Sequence, residues 1–322
     1  MLDVYELKVF LTAAETENFS EAARQLSLTQ PAVSMQIRSL EKKLDVSLFH
    51  RTGRVLSLSE QGKALMPMAR DMINRAIQIE EEIESLKGEV VGQLKIGCST
   101  TTGKYILPHL AARFRRIHPK VQIIIYNHSR DMVLDELCDG LVQLGVVSFE
   151  PTCRDTTFRQ FFTDHVVLIV PKHHPLAERE EIAPEELRHV DFILRDNESG
   201  TRQEVDAALR EAGLSLDDLH VVMEMGNSEA ISMAVEEGIG VAFVSRAVAR
   251  RGIELGKIKE VRVTGLSLTR QVYIAYSQRH PATQAQTEFW NFVPQALTDA
   301  VLEQICPSRI EPLLLAQSAN GH

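Results

Sequence analysis

FSEAARQLSLTQPAVSMQIRSLEKKLDVSLFHRTGRVLSLSEQG, residues 19–62, is the stretch that decides the fold of the N-terminal part. Just before it, Leu7, Phe10, Leu11 and Ala14 recur at helical spacing. Ser20 is placed to N-cap a second helix, Glu21 to Leu26, with Phe19 as its staple residue. Ser27-Leu28-Thr29 forms a turn, and Pro31 then sits in the first turn of a third helix, where a missing N–H costs nothing. That helix is expected to run to about Leu44. On its wheel Val33, Ile37, Leu40 and Leu44 share one face and need burial against the first two helices. Pro31, Met35, Arg38 and Lys42 lie opposite, flanked by Gln30, Ser34 and Ser39. Such a mixture of amides, hydroxyls, methyls and cations suits base edges in a major groove. Leu48-Phe49 and Val55-Leu56-Ser57-Leu58 flank Arg51-Thr52-Gly53-Arg54 and predict a hairpin or wing.

Charge supports this placement. The whole chain of 322 residues is acidic, net −9, which excludes a general polyanion coater. Residues 1–23 are net −4, whereas residues 24–54 carry six Lys and Arg against Glu41 and Asp45, net +4. The acidity is segregated away from the third helix and the wing, leaving a local phosphate-binding patch.

The length predicts two domains or more. Hydrophobic content of 44% and charged content of 25% are those of a soluble globular protein. No apolar run approaches the roughly 20 residues that span a bilayer, and the start MLDVYELKVF lacks a leader pattern. A cytoplasmic protein without membrane contact is expected. Cys98, Cys138, Cys153 and Cys306 lie far apart, which argues against a zinc module or disulfide scaffold and fits a reducing compartment.

Ser59 is expected to cap a long helix reaching about Lys87. Leu65, Met68, Met72, Ala76, Ile79, Ile83 and Leu86 recur at spacings of three and four, and Met66, Ala69, Ile73 and Ile77 widen the stripe. A wide apolar face on a helix of about 43 Å asks for a partner, most simply the same helix of a second copy. Residues 88–93 read as a hinge. From Leu94 strands and helices alternate in two units, giving an open α/β architecture with mostly parallel strands. The last elements are VYIAY and an amphipathic helix Gln284–Leu297.

The stretch 19–62 resembles the LysR-type transcriptional regulators almost position for position, and similarity extends over residues 3–295. The resemblance implies an N-terminal winged helix-turn-helix at 1–58, a linker and dimerisation helix at 59–88, and a two-lobed periplasmic-binding-protein-like α/β regulatory domain at 89–300. Lobe I would comprise about 93–163 and 268–300, lobe II about 164–267, and 301–322 would be a tail. Thr29, Gln30, Pro31, Ser34, Met35 and Arg38 become the expected DNA contacts, with Arg51 and Arg54 near the wing. Many members carry a polar or basic residue where this chain has Met35, so a thymine methyl is the expected partner there. Dimers, tetramers on interrupted palindromes and contact with RNA polymerase follow from the same resemblance. TQPAVSMQI and the GTR motif are similar to regulators of carbon fixation and sulfur assimilation within the family.

Four segments of the α/β region are candidates for binding a small effector. Ser99, Thr100, Thr101 and Thr102 follow a strand and open a helix, whose free N–H groups favour an anion. Ser148 follows LGVV, Thr201 and Arg202 open another helix, and Asn227-Ser228 opens a third. Ligands of open α/β sheets sit beyond strand carboxyl ends. A small anionic metabolite is therefore expected, with no other cofactor.

Enzymatic motifs fail on their chemistry. Gly97 to Lys104 has five residues between its glycines, and Tyr105 replaces the Ser/Thr a P-loop needs. Gly238-Ile239-Gly240 follows a helix, the wrong order for a dinucleotide loop. His173-His174-Pro175 reads as a surface turn, and Cys98 as a buried structural thiol. No catalytic set and no metal site are expected. The alternative is an α/β binding protein or enzyme that uses its helical head only to oligomerise.

Overall fold

The computed structural model describes residues 1–52, 55–86, 88–152, 154–197, 199–266, 268–298 and 301–302. Helices α1 (Val4–Thr16), α2 (Phe19–Gln25) and α3 (Gln30–Leu44) are followed by a hairpin of β1 (Phe49–Thr52) and β2 (Val55–Leu58). The first cap differs from expectation: Asn18, not Ser20, caps α2, accepting the Ser20 and Glu21 N–H groups. Phe19 thus becomes the first helical residue, buried edge-on to Phe49. Val33, Ile37 and Leu40 bury with Leu7, Phe10, Ala22 and Leu48 in one small core.

Helix α4 (Glu60–Ser85) spans about 39 Å at 1.5 Å per residue. Ser59 caps it through the Gly62 N–H and ties it to the hairpin by donating to the Ser47 carbonyl at 2.6 Å. Gly62 is required by that close approach, because a Cβ there would stand 2.2 Å from the Leu48 carbonyl oxygen. Leu65, Met66, Ala69 and Ile73 pack on the N-terminal core. Met68, Met72, Ile79, Ile83 and Leu86 remain exposed along the other side.

Beyond the linker come β3 (Gly92–Cys98), a π-helical turn Thr102–Ile106, α5 (Leu107–Ile117), β4 (Val121–Asn127), α6 (Arg130–Cys138) and β5 (Leu144–Val147). Strand β6 (Thr156–Pro171) then runs 16 residues, and β7 (Glu181–Ile182), β8 (Asp191–Arg195), α7 (Gly200–Glu211), β9 (His220–Met225), α8 (Ser228–Glu236), β10 (Ala242–Ser245), α9 (Arg246–Glu254) and β11 (Ile258–Val263) follow. Strand β12 (Thr269–Ser277) and α10 (Gln284–Ala296) complete the described elements.

The sheet order is β4-β3-β5-β12-β6-β11-β7, with β10 also paired to β6, and β8-β9 form a separate parallel pair. Parallel pairing holds for β3, β4 and β5, for β8 and β9, as strand-helix alternation predicts, and for the short β7 against β11. Elsewhere the expectation of mostly parallel strands is corrected. Strand β6 pairs antiparallel with β12 along its first half and with β10 and β11 along its second. A single long strand therefore serves both halves of the domain, and β12 returns against it. The result is two lobes. Lobe I has a core of Leu94, Ile96, Phe114, Leu144, Ile274 and Phe289, and lobe II buries residues of β6, β8, β10 and β11 on both faces.

Cys138, at the end of α6, is disulfide-bonded, which corrects the expectation of reduced, unpaired thiols. Residues 303–322 of the expected tail lie outside the described residues, as do Cys153 and Cys306.

Candidate functional site

The surface of α3 is presented as its wheel demands. Thr29 caps the helix through the Ala32 N–H, and Thr29, Gln30, Pro31, Met35 and Arg38 are exposed, with Ser34 half-buried beside them. Met35 is 64% exposed, an unusual outlay for a thioether that could turn inward. The Gln30 amide donates to Ser34 Oγ at 3.0 Å, so the two polar groups form one unit. Arg38 and Lys42 carry no ion pair among the described residues. Arg51 sits on β1 opposite Leu56 in backbone register, while Arg54 lies outside the described residues.

A buried carboxylate holds this helix in place. Glu6 on α1 is 4% exposed and accepts from Ser39 Oγ at 2.8 Å and from Lys43 Nζ at 2.7 Å. Burial pushes the Glu6 carboxyl up, but the Lys43 and Ser39 hydrogen bonds and the Lys43 charge outweigh it and hold the group below its usual range. Ser39, which flanks the polar face, and Lys43, one of the six cations counted over residues 24–54, are thereby spent on packing. Arg24 is likewise paired with Glu21 at 2.6 Å. The positive patch on α3 narrows to Arg38 and Lys42.

In the α/β region every candidate segment lies beyond a strand's carboxyl end, after β3, β5, β8 and β9. Ser99 and Thr100 are half-buried and Thr101 and Thr102 buried, with Ser99 and Thr102 hydroxyls 3.3 Å apart. The helix there begins with a π turn, a distortion that recurs at functional sites. Ser148 of lobe I lies against the start of α7 in lobe II, its Oγ 3.1 Å from where a Gly200 Cβ would stand. Thr201 accepts from the Arg270 guanidinium at 3.2 Å. Asn227 caps α8 through the Ala230 N–H, and buried Ser228 accepts from Arg195.

Arg202, the cation expected to face an anion, is committed within lobe II. It donates to the Arg195 carbonyl at 2.6 Å and pairs with Glu224 at 2.9 Å. The charged groups that bring the lobes together are others. Arg270 of β12 and Asp164 of β6 form a buried pair, both guanidinium contacts landing on Asp164 Oδ2 at 2.9 and 2.7 Å, while Ser245 donates to Oδ1 at 2.7 Å. Glu229 of α8 meets Lys104 at 2.8 Å and the Tyr105 hydroxyl at 3.2 Å across the cleft. The sequence carried one overlooked signal for this cluster: Asp164 and Arg270 each interrupt a strand otherwise built to be buried, and a charge there must find a partner.

Cys98 is fully buried, and burial pushes its thiol up to about 12. No cluster of metal-ligating side chains is present among the described residues. Among these residues, no helix is long and apolar enough to cross a membrane.

Comparison with known proteins agrees with this geometry. Residues 4–63 match the bacterial regulatory helix-turn-helix protein, lysR family, and residues 87–298 match the LysR substrate binding domain. The "Probable RuBisCO transcriptional regulator" of Cyanophora paradoxa is 33% identical over 287 residues, 88% of this chain and 89% of its own length. Among solved structures, full-length CbnR complexed with its target DNA superposes with a TM-score of 0.65 at 20% identity, covering 92% of this chain and 100% of that one. The regulatory domain of Synechocystis PCC6803 CcmR in complex with 2-PG superposes with a TM-score of 0.59 at 22% identity, covering 65% of this chain and 98% of that one. At such identities the superpositions speak to the fold. The curated relatives are named as transcriptional regulators rather than enzymes, which sets aside the alternative of an enzyme with an oligomerising head. With two family models covering both its head and its α/β body, this chain belongs to the LysR family of transcriptional regulators.

Proposed function

We propose that residues 1–58 read duplex DNA, that 59–88 pair two copies, and that 89–300 sense a small anionic metabolite between lobes at 93–163 with 268–300 and at 164–267. The observation that carries the reading is the exposed unit of Gln30, Ser34 and Met35 on a helix whose opposite side is anchored by buried Glu6. Gln30 pairs with a base edge, Met35 packs on a thymine methyl, and Thr29, Pro31 and Ser34 fit the groove wall. Arg38, with Arg51 and Arg54 of the wing, neutralises phosphates. Gln30→Ala should lose about 1–3 kcal/mol of preference for the operator over random duplex. Arg38→Ala should instead weaken both and flatten the salt dependence by about one phosphate's share. An unchanged ratio of specific to non-specific binding in Gln30→Ala would remove this face from base reading.

For the effector, strand-end hydroxyls (Ser99, Thr100, Thr101, Thr102, Ser148, Thr201 and Ser228), the Asn227 carboxamide and three helix starts converge on the cleft, and Arg270 supplies positive charge beside Thr201. Arg202 acts one step back, fixing the start of α7 to β8 and β9. The relative bound to 2-PG makes that compound the first probe, and the RuBisCO regulators suggest a carbon-fixation promoter. Saturable thermal stabilisation by 2-PG or a related anion, lost in Ser148→Ala with Thr201→Ala, is the expected result. Stabilisation that survives the double variant places the ligand elsewhere. The protein works in the cytoplasm as a dimer or tetramer on an interrupted palindrome and contacts RNA polymerase there.

A further inference from the structure

A cavity of about 500 Å³ lies where α4 meets lobe I, bordered also by Lys8 of α1. Ile77, which widens the apolar stripe and is 43% exposed, is also on its border. Glu81 stands two residues from both Ile79 and Ile83, which places it roughly 160° around the helix from either. A second copy pairing along Met68, Met72, Ile79 and Ile83 would therefore approach α4 from the side opposite Glu81.

Glu81 makes this cavity more than a gap between elements. The residue is 5% exposed. It accepts the backbone N–H of Gln93, yet its Oε2 is buried with no hydrogen-bond partner among the described residues. A buried carboxylate oxygen left without a donor is rare in a finished fold, because desolvation is then uncompensated. The cations nearby do not supply the donor. His280 is spent on Asp71 at 2.6 Å and on the Cys138 carbonyl at 2.9 Å. Lys8 and Lys95 border the cavity, but no ion pair joins either to Glu81 among the described residues. Glu80 adds negative charge on its rim.

We propose that this cavity is a second ligand site, which takes a small organic molecule through a primary ammonium group held by Glu81. An ammonium brings three donors and a charge to an oxygen that has neither. The far end of the ligand can be a second ammonium directed to Glu80, or a carboxylate directed to Lys8 and Lys95. Since the walls come from α1, α4 and lobe I, an occupant clamps the DNA-reading head and the linker helix onto the regulatory domain.

The full-length protein and its Glu81→Gln variant should be titrated calorimetrically at pH 8 and constant ionic strength with 1,4-diaminobutane and with 4-aminobutanoate. At least one probe is expected to bind the wild type saturably and the variant at least tenfold more weakly. The better probe identifies the far end. Gln keeps the shape of Glu, so the variant should fold; circular dichroism checks this. Hydrogen exchange on the wild type gives an independent reading: the probe should protect residues 74–86 and 91–95. Binding by neither probe, equal binding to both proteins, or protection confined to the strand ends facing the interlobe cleft would overturn the proposal. None of these outcomes bears on DNA reading by α3.

Discussion

Two buried glutamates respond to acid in opposite directions, and the difference is set by their neighbours. Glu6 is held below its usual value of 4.5 because Lys43 and Ser39 outweigh its burial. Its contribution to stability is therefore present above about pH 4.5 and is lost as the pH falls through the lowered value. Glu6→Gln should destabilise the protein at pH 7, with the gap from wild type closing below pH 4.5 in urea titrations. Glu81 is raised from 4.5 to about 7 by burial, only partly offset by the Gln93 N–H. For it the sign reverses: the folded state is penalised progressively from pH 4.5 to 7 and fully above that. Glu81→Gln should raise Tm by a few degrees at pH 8, corresponding to about 1–3 kcal/mol, and change little at pH 4.5. A lower Tm at pH 8 would show that the carboxylate is satisfied in solution.

Among the elements, α4 makes the clearest demand on an outside partner. It buries Ala69 against the head, docks Gln78 on the Ala282 carbonyl at 2.9 Å, and leaves Met68, Met72, Ile79 and Ile83 in solvent. Ile79→Glu with Ile83→Glu should convert the assembly to monomers in light scattering while leaving the circular dichroism of the chain intact. Persistence of the dimer would mean that subunits associate through the regulatory domains alone. The stripe was legible in sequence because long helices write a simple period, and so were α3 and the strand-end positions of Ser99, Ser148 and Asn227. What was not legible depends on encounters far apart in the chain. Lys43 reads as a phosphate-facing cation until α1 brings Glu6 to it, 37 residues away. Asp164 and Arg270 are 106 positions apart and meet only because β12 returns antiparallel on β6. Arg202 looks like a ligand cation until β9 delivers Glu224. The short β8 and α9 were missed too, since five and nine residues hold too little periodicity to stand out.

At the scale of the molecule, the lobes hang together on β6 and β12, and the Asp164–Arg270 pair sits at that crossing. With side chains only 2% and 8% exposed, neither charge has water to fall back on. Asp164→Ala should cost about 3–5 kcal/mol, because it strands a buried guanidinium. Replacing both residues with apolar ones of similar size should cost much less, and a double-variant loss equal to the sum of the two single-variant losses would deny their coupling.

Arg70 also ties separate parts of the molecule together. Planted on α4, it reaches Glu15 of the head at 3.2 Å and the Asp139 carbonyl of lobe I at 3.3 Å. One guanidinium is thus a three-way rivet between the head proposed to grip the genome and the domain proposed to taste the metabolite pool. Any tilt of lobe I that breaks the bond to Asp139 loosens the head's footing too. Thermodynamic reciprocity then runs both ways: whatever factor the metabolite applies to the grip on the promoter, the promoter must return to the metabolite.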